Sequence, residues 1–436
     1  MNFDLMRSLL IDRALRGELF SNVTSVEAEG KSLEEEQTTP FTIPNHWQWK
    51  RVADCVQFNP KVIQDDAVEV SFIPMADVEP GFVDHCSTRQ AKPWAKVKKG
   101  FSRFQEGDLL VAKITPCFQN RKSCVAKSLI NGTGAGSTEF HVMRCVSGVD
   151  AKFLLYFFKS EYFIRYGVNH FNGTVGQQRV GAQDIKDCLI PVPSVEEQVR
   201  IVAKLEDAFA EIDRAEKAYE ELQTLAGVLR GQILQEAIQG KLVPQLAEEG
   251  VVEQIGVAPD ERPFEIPKSW KWRALDEIFK FVDYRGKTPT KTTDGVRLIT
   301  ASNVRQGYVD HKRIEFISSE EYIDRQNRGI SKKGDILFTT EAPLGNVALA
   351  DLDVYSAGQR VITLQTDSEN KKLLMYFMLS PYFQKALKNN ATGTTAQGIK
   401  AARLKKLMLP VPPVEEQARI ASKLEELLKQ VDALSA

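Results

Sequence analysis

The densest cationic stretch of this 436-residue chain is Lys92-Pro-Trp-Ala-Lys96-Val-Lys98-Lys99-Gly-Phe-Ser-Arg103-Phe. Five cations and three aromatic side chains, punctuated by Pro and Gly, suit a loop that touches phosphates and sends one or two side chains to base edges. In the second half of the chain similar character is spread over Arg285, Lys287, Lys291, Arg305, Lys312, Arg313, Arg325 and Arg328. Taken singly, each of these is an ordinary solvated charge. Two further short stretches carry groups able to hydrogen-bond to DNA: Gln177-Gln178-Arg179 after Gly173-Thr174, and Gln397 after Gly393-Thr394. Packing against a partner subunit fits those positions equally well.

Signatures of catalysis are mostly missing. Gly286-Lys287-Thr288 looks like the tail of a phosphate-binding loop, but the glycine required five residues earlier is Phe281. No glycine-rich dinucleotide fingerprint follows a strand, and no Asn-Pro-Pro-aromatic or Asp-Pro-Pro-Tyr motif is present. A nuclease-like acid followed by acid-x-Lys fails because Asp108 is succeeded by Val111-Ala112-Lys113. The six cysteines are irregularly spaced without a C-x-x-C pair, which reads as free thiols rather than a zinc site. Of the five histidines only His85 and His311 recur in equivalent places, beside a turn, where a structural role fits better than a base.

The positions that recur define the elements that must carry these groups. Ile190 to Glu206 and Leu409 to Glu425 share 12 of 17 residues without insertion. In both, Pro-Val-Pro blocks a regular helix and Val-Glu-Glu-Gln then begins one, with acids in the first turn where the helix dipole favours them. Further anchors repeat in order at offsets near 223. They are Ile43-Pro44 with Ile266-Pro267, Gly107-Asp108-Leu109-Leu110 with Gly334-Asp335-Ile336-Leu337, and Tyr156-Phe157 with Tyr376-Phe377. The chain is a duplication of a whole domain. Short β-branched and aromatic runs beside two helical stretches, Phe153 to Tyr166 and Lys371 to Lys388, make each copy an α+β domain with a mixed or antiparallel sheet.

Where the copies align but the side chains differ, sequence-specific readout is expected. Ala76-Asp77-Val78-Glu79 matches Ser302-Asn303-Val304-Arg305, and Ala112-Lys113 matches Thr339-Thr340. Asn can grip adenine and Arg guanine through two bonds, so Asn303 and Arg305 are candidate base readers and Lys113 a further DNA contact.

After Pro193 an apolar residue falls at 201, 205, 208, 212, 215, 219, 222, 226, 229 and 233, a 4-3 seam of coiled-coil type. Gly227 and Gly231 each cost about 1 kcal/mol relative to Ala in a helix, so a bend or break is expected there. The last helix stops early, and the missing end is supplied by the N-terminus: Arg7 to Leu19 matches Arg230 to Leu242. The order is circularly permuted: a ring cut open inside one helix, with pseudo-two-fold symmetry and long antiparallel helices between the domains. The expected segments are residues 1–40, a helix and linker; 41–193, the first globular domain; 194–263, the helical spacer; 264–412, the second domain; and 413–436, the final helix.

Charge follows the same division. Residues 41–193 hold 19 Lys+Arg against 14 Asp+Glu and residues 264–412 hold 24 against 16, whereas the remainder holds 14 against 28. Two basic bodies sit on an acidic frame, as a polyanion ligand would require. The frame's repeated helix-start residues, Glu196, Glu197, Gln198, Glu415, Glu416 and Gln417, are therefore candidates for partner docking or helix-start structure. No apolar run approaches a membrane span and the N-terminus is too charged for a signal peptide, so a cytoplasmic location is expected.

These doubled motifs resemble the specificity subunit of type I restriction-modification systems. That family carries two target-recognition domains, each followed by a Leu/Ile-Pro-x-Pro-x-x-Glu-Gln-x-x-Ile helix. Here the motif spans Ile190 to Ile201 and Leu409 to Ile420, and the family's Ala-x-x-Gly-x-Leu helix end appears at Ala14 to Leu19 and Ala237 to Leu242. The resemblance implies a non-catalytic DNA-binding subunit that reads an asymmetric bipartite target, one part per domain, with the helices as a ruler. It further implies docking of two methyltransferase subunits and possible docking of two restriction subunits. No cofactor belongs to this chain itself; S-adenosylmethionine, ATP and magnesium are expected in the partners. A stand-alone DNA-modifying enzyme and a protein-only coiled-coil adaptor are the competing readings.

Overall fold

The computed structural model describes residues 1–19, 39–86, 90–174, 176–252, 262–284, 288–393 and 397–434. The segments predicted as linkers fall largely outside these ranges. The chain divides into two compact units, Met1–Ala218 and Tyr219–Ala436. Each contains a helix end, a globular domain and a helix start, which is the permuted order read from the repeats.

In the first unit an antiparallel sheet runs in the order Val56–Phe58, Phe140–Cys145, Leu109–Ala112, Ser123–Val125. The second unit repeats it as Lys280–Asp283, Val361–Gln365, Ile336–Thr340, Leu344–Leu349. The Gly-Asp pair at the head of the central strand explains itself structurally. Asp108 is buried, accepts from Gln105 N at 2.7 Å and is gripped by Arg144 Nε and Nη2 at 2.7 and 2.9 Å. Asp335 is buried likewise, accepting from Lys332 N at 2.8 Å and pairing with Lys371 at 2.9 Å. A buried carboxylate is tolerated in both places because it is paired and hydrogen-bonded.

The second sheet is where the units diverge. In the first it has four strands in the order Gln90–Pro93, Glu69–Ile73, Thr133–Gly136, Ser102–Gln105, with Glu69–Ile73 parallel to Thr133–Gly136. In the second it keeps three, Phe316–Ile317, Val296–Ile299 and Ser356–Ala357, again with one parallel pairing. The strand Ser102–Gln105 has no counterpart among the described residues of the second unit.

Both domains are closed by a strand pair between entry and exit. Gln48–Arg51 lies antiparallel to Leu189–Val192 with Trp49 opposite Pro191, and Lys271–Ala274 lies antiparallel to Met408–Val411 with Trp272 opposite Pro410. A proline, which cannot donate a backbone hydrogen bond, is accommodated because these pairs have only two strands.

Helices complete each core. Ile11, Ala14 and Leu15 of the helix Phe3–Leu15 join Ile201, Leu205 and Phe209 in the first unit, and Leu234, Ala237 and Ile238 join Ile420, Leu424 and Leu428 in the second. Ion pairs repeat with them: Arg7 meets Asp213 and Glu216 at 2.6 Å, and Arg230 meets Asp432 at 2.6 Å. The helix ends turn at Gly17 and Gly240, whose φ angles are +76° and +71°. A Cβ there would lie 2.3 Å from the ring of Pro44 or Pro267, so glycine is required twice over.

The expected break is absent. Val195–Ile238 is a single helix of 44 residues, continuous through Gly227 and Gly231. Packing outweighs the glycine penalty nearby: Ala226, Ile233 and Leu234 are buried. The predicted seam is covered at its ends, whereas Ala215, Leu222 and Leu229 in its middle are exposed.

Candidate nucleic-acid interface

The cationic stretch of the first unit is not a loop. It forms a strand, the short helix Trp94–Val97 and the strand Ser102–Gln105, which bury Trp94 and Phe104 and leave Phe101 as the exposed aromatic. Phe101 is braced edge-on against Phe72, with ring centroids 5.1 Å apart. The Lys92 ammonium sits 3.3 Å above the Phe72 ring, and Lys98 is paired with Asp66 at 2.7 Å. Arg103 donates from Nη1 to Lys98 O at 3.4 Å. Lys96 and Lys99 are exposed and form no ion pair among the described residues.

Beside this edge opens a cleft of about 540 Å³ that draws together Phe101, Arg103, Lys113, His141 and Arg179. Three of the residues singled out from sequence thus meet in one place. His141 is buried and its ring N–H donates to Val180 O at 3.1 Å; burial holds its pKa down. Arg179 grips Glu139 through two bonds of 2.9 Å, which hold that carboxyl below its ordinary range. Gln177 is exposed and its carbonyl accepts from Arg179 Nη1 at 3.1 Å.

In the second unit Arg285 and Lys287 lie outside the described residues. Asn303 is a correction: it is fully buried and saturated. Its Oδ1 accepts from Thr300 N and Oγ1 at 3.0 and 2.9 Å, and its Nδ2 donates to Asp310 O and Arg313 O at 2.9 and 2.8 Å. With its amide capacity engaged, it organises the turn that carries Arg305 and has nothing left for a base. Arg305 is half-exposed and leans to Asp310 at 3.5 Å. Arg328 is exposed and donates to Asp283 O at 3.3 Å. Arg325 is also structural, buried and donating to Ser356 Oγ and Ala357 O at 3.0 and 2.7 Å.

A cleft of about 460 Å³ in this unit is lined by Thr288, Lys291, Ser302, Arg313, Gln359 and Arg360, among others. Lys291 and Arg313 both reach Glu315, at 2.8 and 2.7 Å. Partial burial alone would raise the Glu315 pKa, but these two cations draw it below the usual range. Thr288 donates to Gln359 at 2.8 Å, and Arg360 stands 3.6 Å from Glu341. Gln397 is exposed at a separate cleft of about 420 Å³, with Pro343, Gln384 and Lys388. Glu139, Gln359 and Arg360 escaped sequence reasoning because they come from strand ends scattered along the chain with no periodic signal.

The repeated helix-start residues separate by role. Gln198 is fully buried: it accepts from Asp150 N at 2.8 Å and donates to Gly148 O and Pro193 O at 3.2 and 3.0 Å. Gln417 does the same in the second unit, accepting from Asn370 N at 2.7 Å and donating to Glu369 and to Pro412 O at 2.5 and 2.9 Å. Glu416 is buried too and accepts from Trp270 Nε1 and Gln245 Nε2, each at 2.7 Å; burial raises its pKa. Glu197 lies 3.0 Å from His46 Nε2. Gln198, Glu416 and Gln417 thus serve the structure of the helix starts, while Glu196 and Glu415 stay exposed at the helix surface.

Among the described residues no group of three or more His, Cys, Asp or Glu side chains could hold a metal ion, and no helix is long and apolar enough to cross a membrane. All six cysteines are free.

A family model for the type I restriction modification DNA specificity domain matches residues 44–224 and again residues 267–435. Among curated proteins, the specificity subunit of the type I restriction enzyme EcoAI of Escherichia coli is 28% identical, covering 98% of this chain and 89% of its own length. That of EcoEI, also from Escherichia coli, is 25% identical over 99% of this chain and 90% of its own. The fold is similar to that of the HsdS subunit from Thermoanaerobacter tengcongensis, with a TM-score of 0.57 and 20% identity over 91% of this chain and 93% of the other. A chain from a structure of the type I R-M system gives a TM-score of 0.70 at 21% identity, with the same coverage.

Proposed function

Because the chain belongs to the family of type I restriction modification DNA specificity domains, we propose that it is the subunit that tells a restriction-modification complex where on DNA to act. It is non-catalytic, and it recognises an asymmetric target in two parts, one for each unit. Modification subunits, two per chain, supply S-adenosylmethionine and the methyl transfer; two restriction subunits, where they join, supply ATP- and magnesium-dependent cleavage. The assembly works in the cytoplasm.

One observation carries this reading: the two units share a backbone scaffold and differ in the charged groups set around its clefts. In the first unit Lys113 N donates to Glu139 O, and in the second Thr340 N donates to Arg360 O, both at 2.9 Å. Lys113 and Glu139 thus stand where the other unit has Thr340 and Arg360. Two similar frames with different polar edges suit two different half-sites, since base edges are told apart by their donors and acceptors. Mapping adenine methylation across the genome with and without the gene tests the proposal. A two-part methylated motif that vanishes on deletion is expected, and unchanged methylation refutes it.

A further inference from the structure

We propose that Arg179 reads a guanine in the half-site met by the first unit, with Glu139 as the residue that positions it. The inference rests on the DNA-reading function above and adds to it a named base and a named side chain.

A guanidinium has five N–H donors. Arg179 commits Nε and one N–H of Nη2 to the Glu139 carboxylate, both at 2.9 Å, and one N–H of Nη1 to Gln177 O at 3.1 Å. One N–H on each terminal nitrogen is left over. Guanine offers two acceptors, N7 and O6, in the major groove, where adenine offers one acceptor and one donor. A fork with two donors and no acceptor fits the first and is repelled by the second.

The fork is also held still. Thr115 N donates to Gln178 O at 2.9 Å, Val180 N donates to Lys113 O at 3.0 Å, and His141 donates to Val180 O at 3.1 Å. Backbone on both sides of Arg179 is pinned, and its side chain is set by Glu139, so little freedom remains to be lost on binding. The group stands half-exposed in the 540 Å³ cleft, which Arg103 and Lys113 also line.

A plain staple between strand and hairpin is the competing explanation, and the repeat argues against it. The second unit keeps one of these pins, Ile399 N donating to Thr340 O at 3.0 Å, and Thr340 N donates to Arg360 O at 2.9 Å as Lys113 N does to Glu139 O. Yet Gly398 replaces Arg179 there and Arg360 replaces Glu139. The backbone closes there without a two-bond fork, with only the longer approach of Arg360 to Glu341 at 3.6 Å in its place, so the fold does not need the tight grip.

The test selects bound duplexes from a randomised pool with the full chain in complex with its modification subunits. Wild type, Arg179→Ala, Arg179→Lys and Glu139→Gln are compared. Wild type is expected to return a two-part motif with guanine at one position. Arg179→Lys keeps the charge but not the fork, so it should lose the guanine preference by about tenfold to a hundredfold. All other positions should keep their preference. Arg179→Ala should do the same with weaker binding overall, and Glu139→Gln should relax the same position by a smaller factor. If the Arg179 variants weaken all sequences by one common factor and keep the guanine, the side chain touches a phosphate and the inference is overturned. If wild type itself returns no two-part motif, the DNA-reading function falls with it.

Discussion

Replacing Gln198 with Ala separates a structural role from a docking role at the most repeated element of the chain. The substitution leaves the half-buried Asp150 N–H without its acceptor and takes the donor from Gly148 O and Pro193 O. An orphaned buried donor costs about 1–3 kcal/mol, the two carbonyl bonds about 1 kcal/mol each, and the vacated volume adds to this, for a total of about 3–5 kcal/mol. The loss is local. Asp150 caps the helix Ala151–Lys159, accepting from Phe153 N at 2.8 Å, and this helix carries Phe153, Phe157 and Phe158 into the core. Hydrogen exchange read by mass spectrometry on the full chain should show residues 151–159 losing about two to three orders of magnitude of protection, while the second unit is unchanged. Gln417→Ala should transfer the effect to residues 371–379, because Gln417 holds the N-cap Asn370 in the same way. Glu196→Ala, at an exposed position, should stay within about 0.5 kcal/mol. Unaltered exchange in Gln198→Ala, or an equal loss in Glu196→Ala, refutes the reasoning.

Two further outcomes are expected. The folded pKa of Glu416 is raised, so the native state binds a proton more tightly than the unfolded chain does, and this group's stabilising contribution is present below about pH 4.5 and lost as pH rises through the folded value. The second unit should therefore gain stability on acidification from neutral towards about pH 5 relative to Glu416→Gln; a denaturation midpoint difference that moves the other way with pH counts against it. Lys96 and Lys99 changed together to Ala should weaken binding to all DNA sequences alike and flatten the slope of log affinity against log salt by about 1.8, as for two lost phosphate contacts. An unchanged slope would place them away from the backbone.

What was legible in the sequence follows from which constraints repeat. Asp108 and Asp335, Gly17 and Gly240, and Gln198 and Gln417 answer the same backbone need in both copies, each Asp accepting from the N–H three residues before it and each Gln from the N–H of a helix N-cap, so the same residue survives and the duplication can be read directly. The helix Val195–Ile238 was legible in its seam but not in its continuity, because Gly227 and Gly231 carry a local penalty whereas the compensating burial of Ile233 and Leu234 is tertiary. Asn303 misled because residue type reports bonding capacity and not how much is already used. In the stretch from Lys92 to Arg103, Pro and Gly hid a strand-helix-strand whose Trp94 and Phe104 point inward. The fork between Glu139 and Arg179 joins residues 40 positions apart, one at a strand end and one in a two-residue strand, and neither position has a pattern to betray it.

The strand pairs that close the domains bear on inheritance. The chain enters the first domain along Gln48–Arg51 and leaves it along the adjacent Leu189–Val192, and the second domain is closed in the same way. A segment whose two ends lie side by side can be exchanged for another of similar frame without rerouting the helices that flank it. The 12 residues of 17 shared by the two helix starts place similar amino-acid sequence at the far border of each domain. A new target could then arise by one exchange of intact domains, with no intermediate that must fold around a half-changed cleft.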